Sequence, residues 1–138
     1  MMICPACRTE MFVLEFERIE LDYCPECKGV WLDAGELELL AQIADAVPDK
    51  LQAALSGGAA SGSSQGRKRR CPRCRKKLEE IVTAGEQPLT LDRCPAEHGI
   101  WFDQNELKTL IQAAGADPDN VVIRFFSRLE SGQKSGEN

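Results

Sequence analysis

All seven cysteines and the single histidine fall into two sets of four at metal-ligand spacing. Sixteen residues separate Cys4 and Cys7 (CPAC) from Cys24 and Cys27 (CPEC), and 19 separate Cys71 and Cys74 (CPRC) from Cys94 and His98 (CPAEH). A tetrahedral zinc takes two pairs of such donors, and a CxxC turn supplies each pair with backbone amides that also donate to the sulfurs. The economical reading is two Zn2+ ions. A closed shell of four protein ligands leaves no position for substrate or activated water, which points to structural metals and away from an enzyme.

The chain has 138 residues, 43% of them apolar and only eight aromatic. That composition suits two small units with thin cores, for which a structural zinc supplies folding energy of roughly 10–16 kcal/mol. The odd cysteine count, the CxxC spacing and the lack of a secretory leader pattern argue against a disulfide framework and for the cytoplasm. No apolar run approaches membrane-spanning length, so no membrane contact is expected. The formal charge of −5 hides an asymmetry. Residues 1–66 hold 4 Lys/Arg against 11 Asp/Glu, whereas residues 67–138 hold 13 against 11.

Laid over each other, CPECKGVWLDAGELELL (24–40) and CPAEHGIWFDQNELKTL (94–110) share Cys, Pro, Gly, Trp, Asp, Glu and Leu at a constant offset of 70. This is an internal repeat. The first knuckles match at an offset of 67, so the second copy carries three extra residues, placed in a hairpin turn around Ala84–Gln87. In the first copy Phe12–Phe16 and Ile19–Tyr23 read as two strands with a tight turn near Glu17. Leu78–Thr83 and Leu89–Arg93 are their counterparts.

After each second knuckle the sequence predicts a helix, capped by Asp33 with Glu36 and by Asp103 with Glu106, and stapled by Leu32 to Leu37 and by Phe102 to Leu107. These helices are expected to run to about Val47 and Ala114, covering the hairpin with Leu37, Leu40, Ala41 and Ala44 or with Leu107, Leu110, Ile111 and Ala114. Second helices follow at Asp49–Leu55 and Asp119–Leu129, the latter with Asp117 and Pro118 at its start. Its stripe of Val121, Val122, Phe125, Phe126 and Leu129 is expected to pack on its own unit, with a protein partner as the other reading. The expected organisation is therefore a first ribbon with helices (1–55), a flexible linker (56–69), a second ribbon with helices (70–130) and a tail (131–138), the two units moving independently.

At the fourth ligand position of the second site, Glu97 aligns with Cys27 and His98 follows it. His98 is favoured, because imidazole is the commoner structural ligand beside three thiolates. A rubredoxin-like iron centre is the rival for four cysteines in paired turns, and the Cys3His set argues against it. Trp31 and Trp101, beside the helix starts, suit core packing better than base stacking.

The pattern CPxC, a hairpin, then CPxCxGxWLDxGEL resembles the transcription factor IIB-type zinc-binding family of small zinc ribbons. Residues 4–40 match it closely, and residues 71–107 match as a diverged copy in which Asn105 stands for the glycine at 35. The resemblance implies a small metal-stabilised α+β fold of two tandem zinc ribbons. It names Cys4, Cys7, Cys24, Cys27, Cys71, Cys74 and Cys94 as ligands, while His98 departs from the pattern. A transcription role would be analogy alone.

Residues 67–77 (RKRRCPRCRKK) place Arg67, Lys68, Arg69, Arg70, Arg73, Arg75, Lys76 and Lys77 around one knuckle. The first expectation is a nucleic-acid- or transcription-associated binding module whose basic knuckle contacts phosphates, while the acidic first ribbon faces a protein. The alternative is a protein-interaction adaptor, using the acidic ribbon or the Phe125/Phe126 helix, with cations that merely solvate a linker end or balance thiolates. No small-molecule substrate is expected, since no His or Cys remains for a nucleophile and base.

Overall fold

A computed structural model describes residues 2–55, 69–85 and 88–131. Each half begins with a hairpin. Strand β1 (Phe12–Phe16) pairs with β2 (Ile19–Tyr23), and the two-residue turn between them holds Glu17 and Arg18 at φ 51° and 70°. Two successive positive-φ residues form the turn whose twist matches the strands. In the second half β4 (Glu79–Val82) pairs with β5 (Thr90–Arg93), and Gly85, at φ 126°, lies in the longer connection that the three extra residues lengthen.

Two further strands do not follow from the sequence reading. Val30–Asp33 forms β3 and Gly99–Phe102 forms β6, where a helix start was expected. They pair antiparallel with each other, with Trp31 opposite Trp101. The two hairpins thereby become one six-stranded sheet, ordered β1-β2-β3-β6-β5-β4, with the junction between the copies at its centre.

The helices begin two residues later than expected. Helix α1 (Glu36–Ile43) is entered through Gly35 at φ 90°, and α3 (Glu106–Ala113) through Asn105 at φ 76°, neither with a side-chain cap. Asparagine is one of the few side chains tolerated in that left-handed region, so it can replace the glycine. Half of the expected capping box survives: the Asp33 and Asp103 amides donate to Glu36 Oε1 (3.0 Å) and Glu106 Oε1 (2.9 Å). Leu32 and Phe102 are core residues of β3 and β6 rather than staples, and the expected helix faces, from Leu37 to Ala44 and from Leu107 to Ala114, are buried.

The remaining helices cross between halves. Helix α2 (Pro48–Leu55) packs against α3 of the other half, and the Ala84 amide donates to the Ala54 carbonyl. Helix α4 (Val121–Ser131) is capped by Asn120, whose Oδ1 accepts from the Val122 amide, while Asp117 caps the preceding turn. It lies on the first hairpin: Phe125 stacks on Phe16 at 4.5 Å, and Tyr23 Oη donates to the Leu129 carbonyl. Asn120 Nδ2 also donates to the Ala44 carbonyl.

The expectation of independently moving units is therefore replaced by a shared sheet with exchanged helices. Val122 and Phe126 are buried, so the stripe offered above to a protein partner is largely used inside the fold, only Val121 being well exposed. The segment 56–68 and the tail from 132 lie outside the described residues.

Strand alternation separates two cores on the two faces of the sheet. Val30, Leu32 and Phe102 face the helices with Leu21, Tyr23, Ile81 and Leu91. Trp31 and Trp101 face the opposite side, where they join Met11, Leu78 and the buried cysteines. This second face carries the candidate metal centres.

Candidate metal centres

Three of the four knuckles share one backbone design. Arg8, Lys28 and Arg75, each just after the second cysteine, sit at φ 64–68°, and their amides donate to the carbonyls of Cys4, Cys24 and Cys71 at 2.8–2.9 Å. Amides inside the turns donate to the first sulfur: Ala6 and Cys7 to Cys4 Sγ, and Arg73 to Cys71 Sγ, all at 3.3 Å. The fourth knuckle closes one residue earlier. Glu97 takes the positive φ (65°), and its own amide donates to the Cys94 carbonyl. This tighter turn places residue 98, not 97, at the ligand position.

The donor atoms converge as the spacing predicts. Cys4, Cys7, Cys24 and Cys27 form one group and Cys71, Cys74, Cys94 and His98 the other, with all donor atoms of a group within 4.8 Å of one another. Among the described residues Glu97 belongs to neither, so His98 completes the second set. The Sγ separations are 3.7 Å for Cys4–Cys27, 3.3 Å for Cys7–Cys24 and 3.6 Å for Cys74–Cys94, and His98 Nδ1 is 3.4 Å from Cys94 Sγ. A tetrahedral ion with Zn–S bonds of about 2.3 Å requires sulfurs roughly 3.8 Å apart, close to these values.

Thiol electrostatics also fit a cation. Without one, burial pushes Cys24 and Cys71 up to about 11, and Cys4 rises further through its contact with Cys27 and then burial. For Cys7 and Cys94 burial acts in the same direction but is outweighed, by hydrogen bonding with Thr9 in one and by the His98 and Ala96 amides in the other, and both fall to about 7. Thiols crowded this closely cannot all ionise alone, and a divalent cation supplies the missing charge.

The halves are tied together beside these centres by charge. Trp31 Nε1 donates to Asp33 Oδ1 (2.9 Å) and Trp101 Nε1 to Asp103 Oδ1 (3.1 Å), so these aspartates orient the tryptophans instead of capping helices. Arg73, from the second half's knuckle, grips Asp33 of the first half with two hydrogen bonds, one of them Nε–Oδ1 at 2.7 Å. Burial alone would raise the Asp33 carboxyl, but the Arg73 and Trp31 bonds hold it below its ordinary value. Asp22 is shifted upward by burial and by Asp33, and Glu36 chiefly by burial. In the other half, Arg69 Nη1 bridges Asp92 (2.8 Å) and Asp103 (2.9 Å).

The basic run is thereby divided. Arg69 and Arg73 are engaged in ion pairs with carboxylates of the protein, Arg69 half-buried and Arg73 exposed. Arg70, Arg75, Lys76 and Lys77 are exposed, and Arg67 and Lys68 lie outside the described residues. Sequence reasoning overlooked Arg8, which occupies in the first knuckle the place of Arg75 in the second. The 67-residue offset could have revealed it.

The pattern of the transcription factor zinc-finger family, in its TFIIB zinc-ribbon form, matches residues 3–43 and again 70–113. The chain belongs to this family. It carries two copies of the ribbon, and its donor sets are those of two zinc ions, one Cys4 and one Cys3His. No curated protein and no solved structure gives a significant match to the chain. Among the described residues no helix is long and apolar enough to cross a membrane.

Proposed function

We propose that this zinc-ribbon protein is a non-catalytic binding module that holds nucleic acid on the exposed basic face of the second half's first knuckle. The observation that carries this reading is the sorting of the basic run. Arg69 and Arg73 are engaged by carboxylates of the protein, whereas the exposed Arg70, Arg75, Lys76 and Lys77 stand together on one small, zinc-braced turn. Lys and Arg presented together neutralise successive phosphates, and affinity gained by counterion release falls steeply with salt. All seven cysteines and the histidine belong to closed four-donor sets, which supports binding rather than chemistry.

The test is retention of a short single-stranded oligonucleotide by the zinc-loaded chain across a salt series. Replacing Arg70, Arg75, Lys76 and Lys77 by glutamine together should abolish retention and flatten the salt dependence. Unchanged retention would sink the reading.

A second reading, a protein-interaction adaptor, draws support from the first half. Phe12 (47% exposed) and Val13 (57%) lie on edge strand β1, close to the exposed carboxylates of Glu10, Glu15 and Glu20. An apolar edge ringed by acid suits a basic, extended peptide. On this reading the glutamine variant keeps its partner, whereas Val13→Lys loses it.

A further inference from the structure

The duplication brings the first knuckles of both copies together. Between Cys4–Arg8 and Cys71–Arg75 lies a cleft of about 150 Å³, walled by Pro5 and Pro72 and lined by Arg8, Arg70 and Arg75, with no acidic residue in its lining. Its walls are equivalent positions of the repeat. Arg8 corresponds to Arg75, both held at positive φ (64° and 68°) by the same carbonyl hydrogen bond to the knuckle's first cysteine. The isolated bridge Ile3–Glu10 corresponds to Arg70–Lys77, and among the lining residues the one departure from symmetry replaces an isoleucine by a third arginine. Arg70 is not loose, since its Nη1 donates to the Arg75 carbonyl at 3.1 Å.

We infer that this cleft binds a phosphate group, with Arg8 of the acidic half as a required contact. Three arginines line this concave surface, and guanidinium forks match phosphate oxygens in geometry as well as in charge. The zinc-braced turns fix their backbones, which lowers the ordering cost of binding. Acid dominates the first half as a whole, yet Arg8 lines this cleft and none of that half's carboxylates does. The inference deepens the nucleic-acid reading and rests on it for the source of the phosphate, a backbone phosphodiester. A free phosphorylated small molecule is the other source of the same chemistry.

The experiment uses the zinc-loaded full chain and two probes, inorganic phosphate and a short single-stranded oligonucleotide. Phosphate binding is followed through the arginine Nε–H resonances, and oligonucleotide binding through anisotropy over a salt series. Wild type is compared with Arg8→Gln, with Arg8→Lys, and with Lys50→Gln as a control that removes one charge from helix α2. Each variant is first shown to hold two zincs per chain.

Phosphate is expected to shift the Arg8, Arg70 and Arg75 signals. Arg8→Gln should weaken both probes by about tenfold, one charge-assisted hydrogen bond's worth, and make the oligonucleotide's salt slope shallower by about 0.7. Arg8→Lys should recover part of the loss, and Lys50→Gln should leave both unchanged. If the oligonucleotide binds and Arg8→Gln weakens neither probe, the cleft is refuted while the nucleic-acid reading stands on Lys76 and Lys77. If phosphate binds in the cleft but no oligonucleotide does, the cleft stands with a small phosphorylated ligand and the nucleic-acid reading falls. If neither binds, both are overturned.

Discussion

Trp101 of the second half lies directly over Gly29 of the first: a Cβ built on Gly29 would stand 2.2 Å from Trp101 Cζ2. The relation is reciprocal, for a Cβ on Gly99 would stand 2.7 Å from Trp31 Cζ2 and 2.3 Å from the Leu32 carbonyl oxygen. The glycine and tryptophan of each CxGxW-type segment thus serve the other copy, and the pairing of β3 with β6 depends on both.

Gly29→Ala and Gly99→Ala should each destabilise the zinc-loaded protein by about 1–3 kcal/mol through overpacking. Gly35 differs, since its φ of 90° needs a tolerant residue but nothing lies within 4 Å of a built Cβ. Gly35→Asn should therefore cost little, as Asn105 at the equivalent place suggests. Denaturant unfolding of the three variants checks the order, and an equal loss at positions 29 and 35 would contradict it.

The two arginines tied to aspartates should behave unequally. Asp92 is 2% exposed in its ion pair with Arg69, so Arg69→Gln withdraws an ionic partner from a buried carboxylate and is expected to cost on the order of 3 kcal/mol. The Arg73–Asp33 pair is 46% and 25% exposed, and solvent screening should hold the loss in Arg73→Gln to about 1 kcal/mol or less. Equal losses from the two changes would contradict the burial argument.

The same pair fixes a pH dependence. Asp33 titrates below its ordinary value in the folded chain, so its contribution is complete above the unfolded carboxyl's pKa of about 4 and is lost as pH falls through the depressed folded value. Asp22 and Glu36, shifted upward, act in the opposite direction, so the pair must be isolated. A double-mutant cycle of Arg73→Gln with Asp33→Asn should give a constant coupling energy from pH 8 to pH 5. A decline within that range would show that another group carries the effect.

Metal stoichiometry should separate residues 97 and 98. Glu97→Gln is expected to keep two zincs per chain, His98→Cys to keep two in a Cys4 shell, and His98→Ala to hold its second zinc much more weakly. Zinc release titrated with a colorimetric chelator reads this directly. Loss of a zinc in Glu97→Gln would return the carboxylate to the ligand set.

How much of this was legible in the sequence depended on how local the cause was. The donor sets, both hairpins and the buried faces of α1 and α3 follow from spacing and periodicity, because the residues that define them are near neighbours. Strands β3 and β6 did not, since four-residue segments with buried residues on both faces carry no alternation and each is completed by the other copy. Their aspartates misled for the same reason: Asp33 and Asp103 look like helix caps along the chain, but a tryptophan indole and an arginine from across the fold claim their oxygens. The crossing of α4 onto the first hairpin was equally hidden, for its apolar stripe is visible while the surface it covers is not. The basic run read as one patch because sequence does not show that Arg69 pairs with Asp92 and Asp103, or Arg73 with Asp33.

The central claim is that two zinc ions brace one shared sheet, and stepwise chelation tests it most directly. Released zinc and far-ultraviolet circular dichroism are followed together as a strong chelator is added to the purified full chain. The account predicts two zincs per chain and a loss of secondary structure that follows their removal, extending to both halves because β3 and β6 complete each other. Fewer than two metals per chain, or an unchanged spectrum after both are removed, would contradict it.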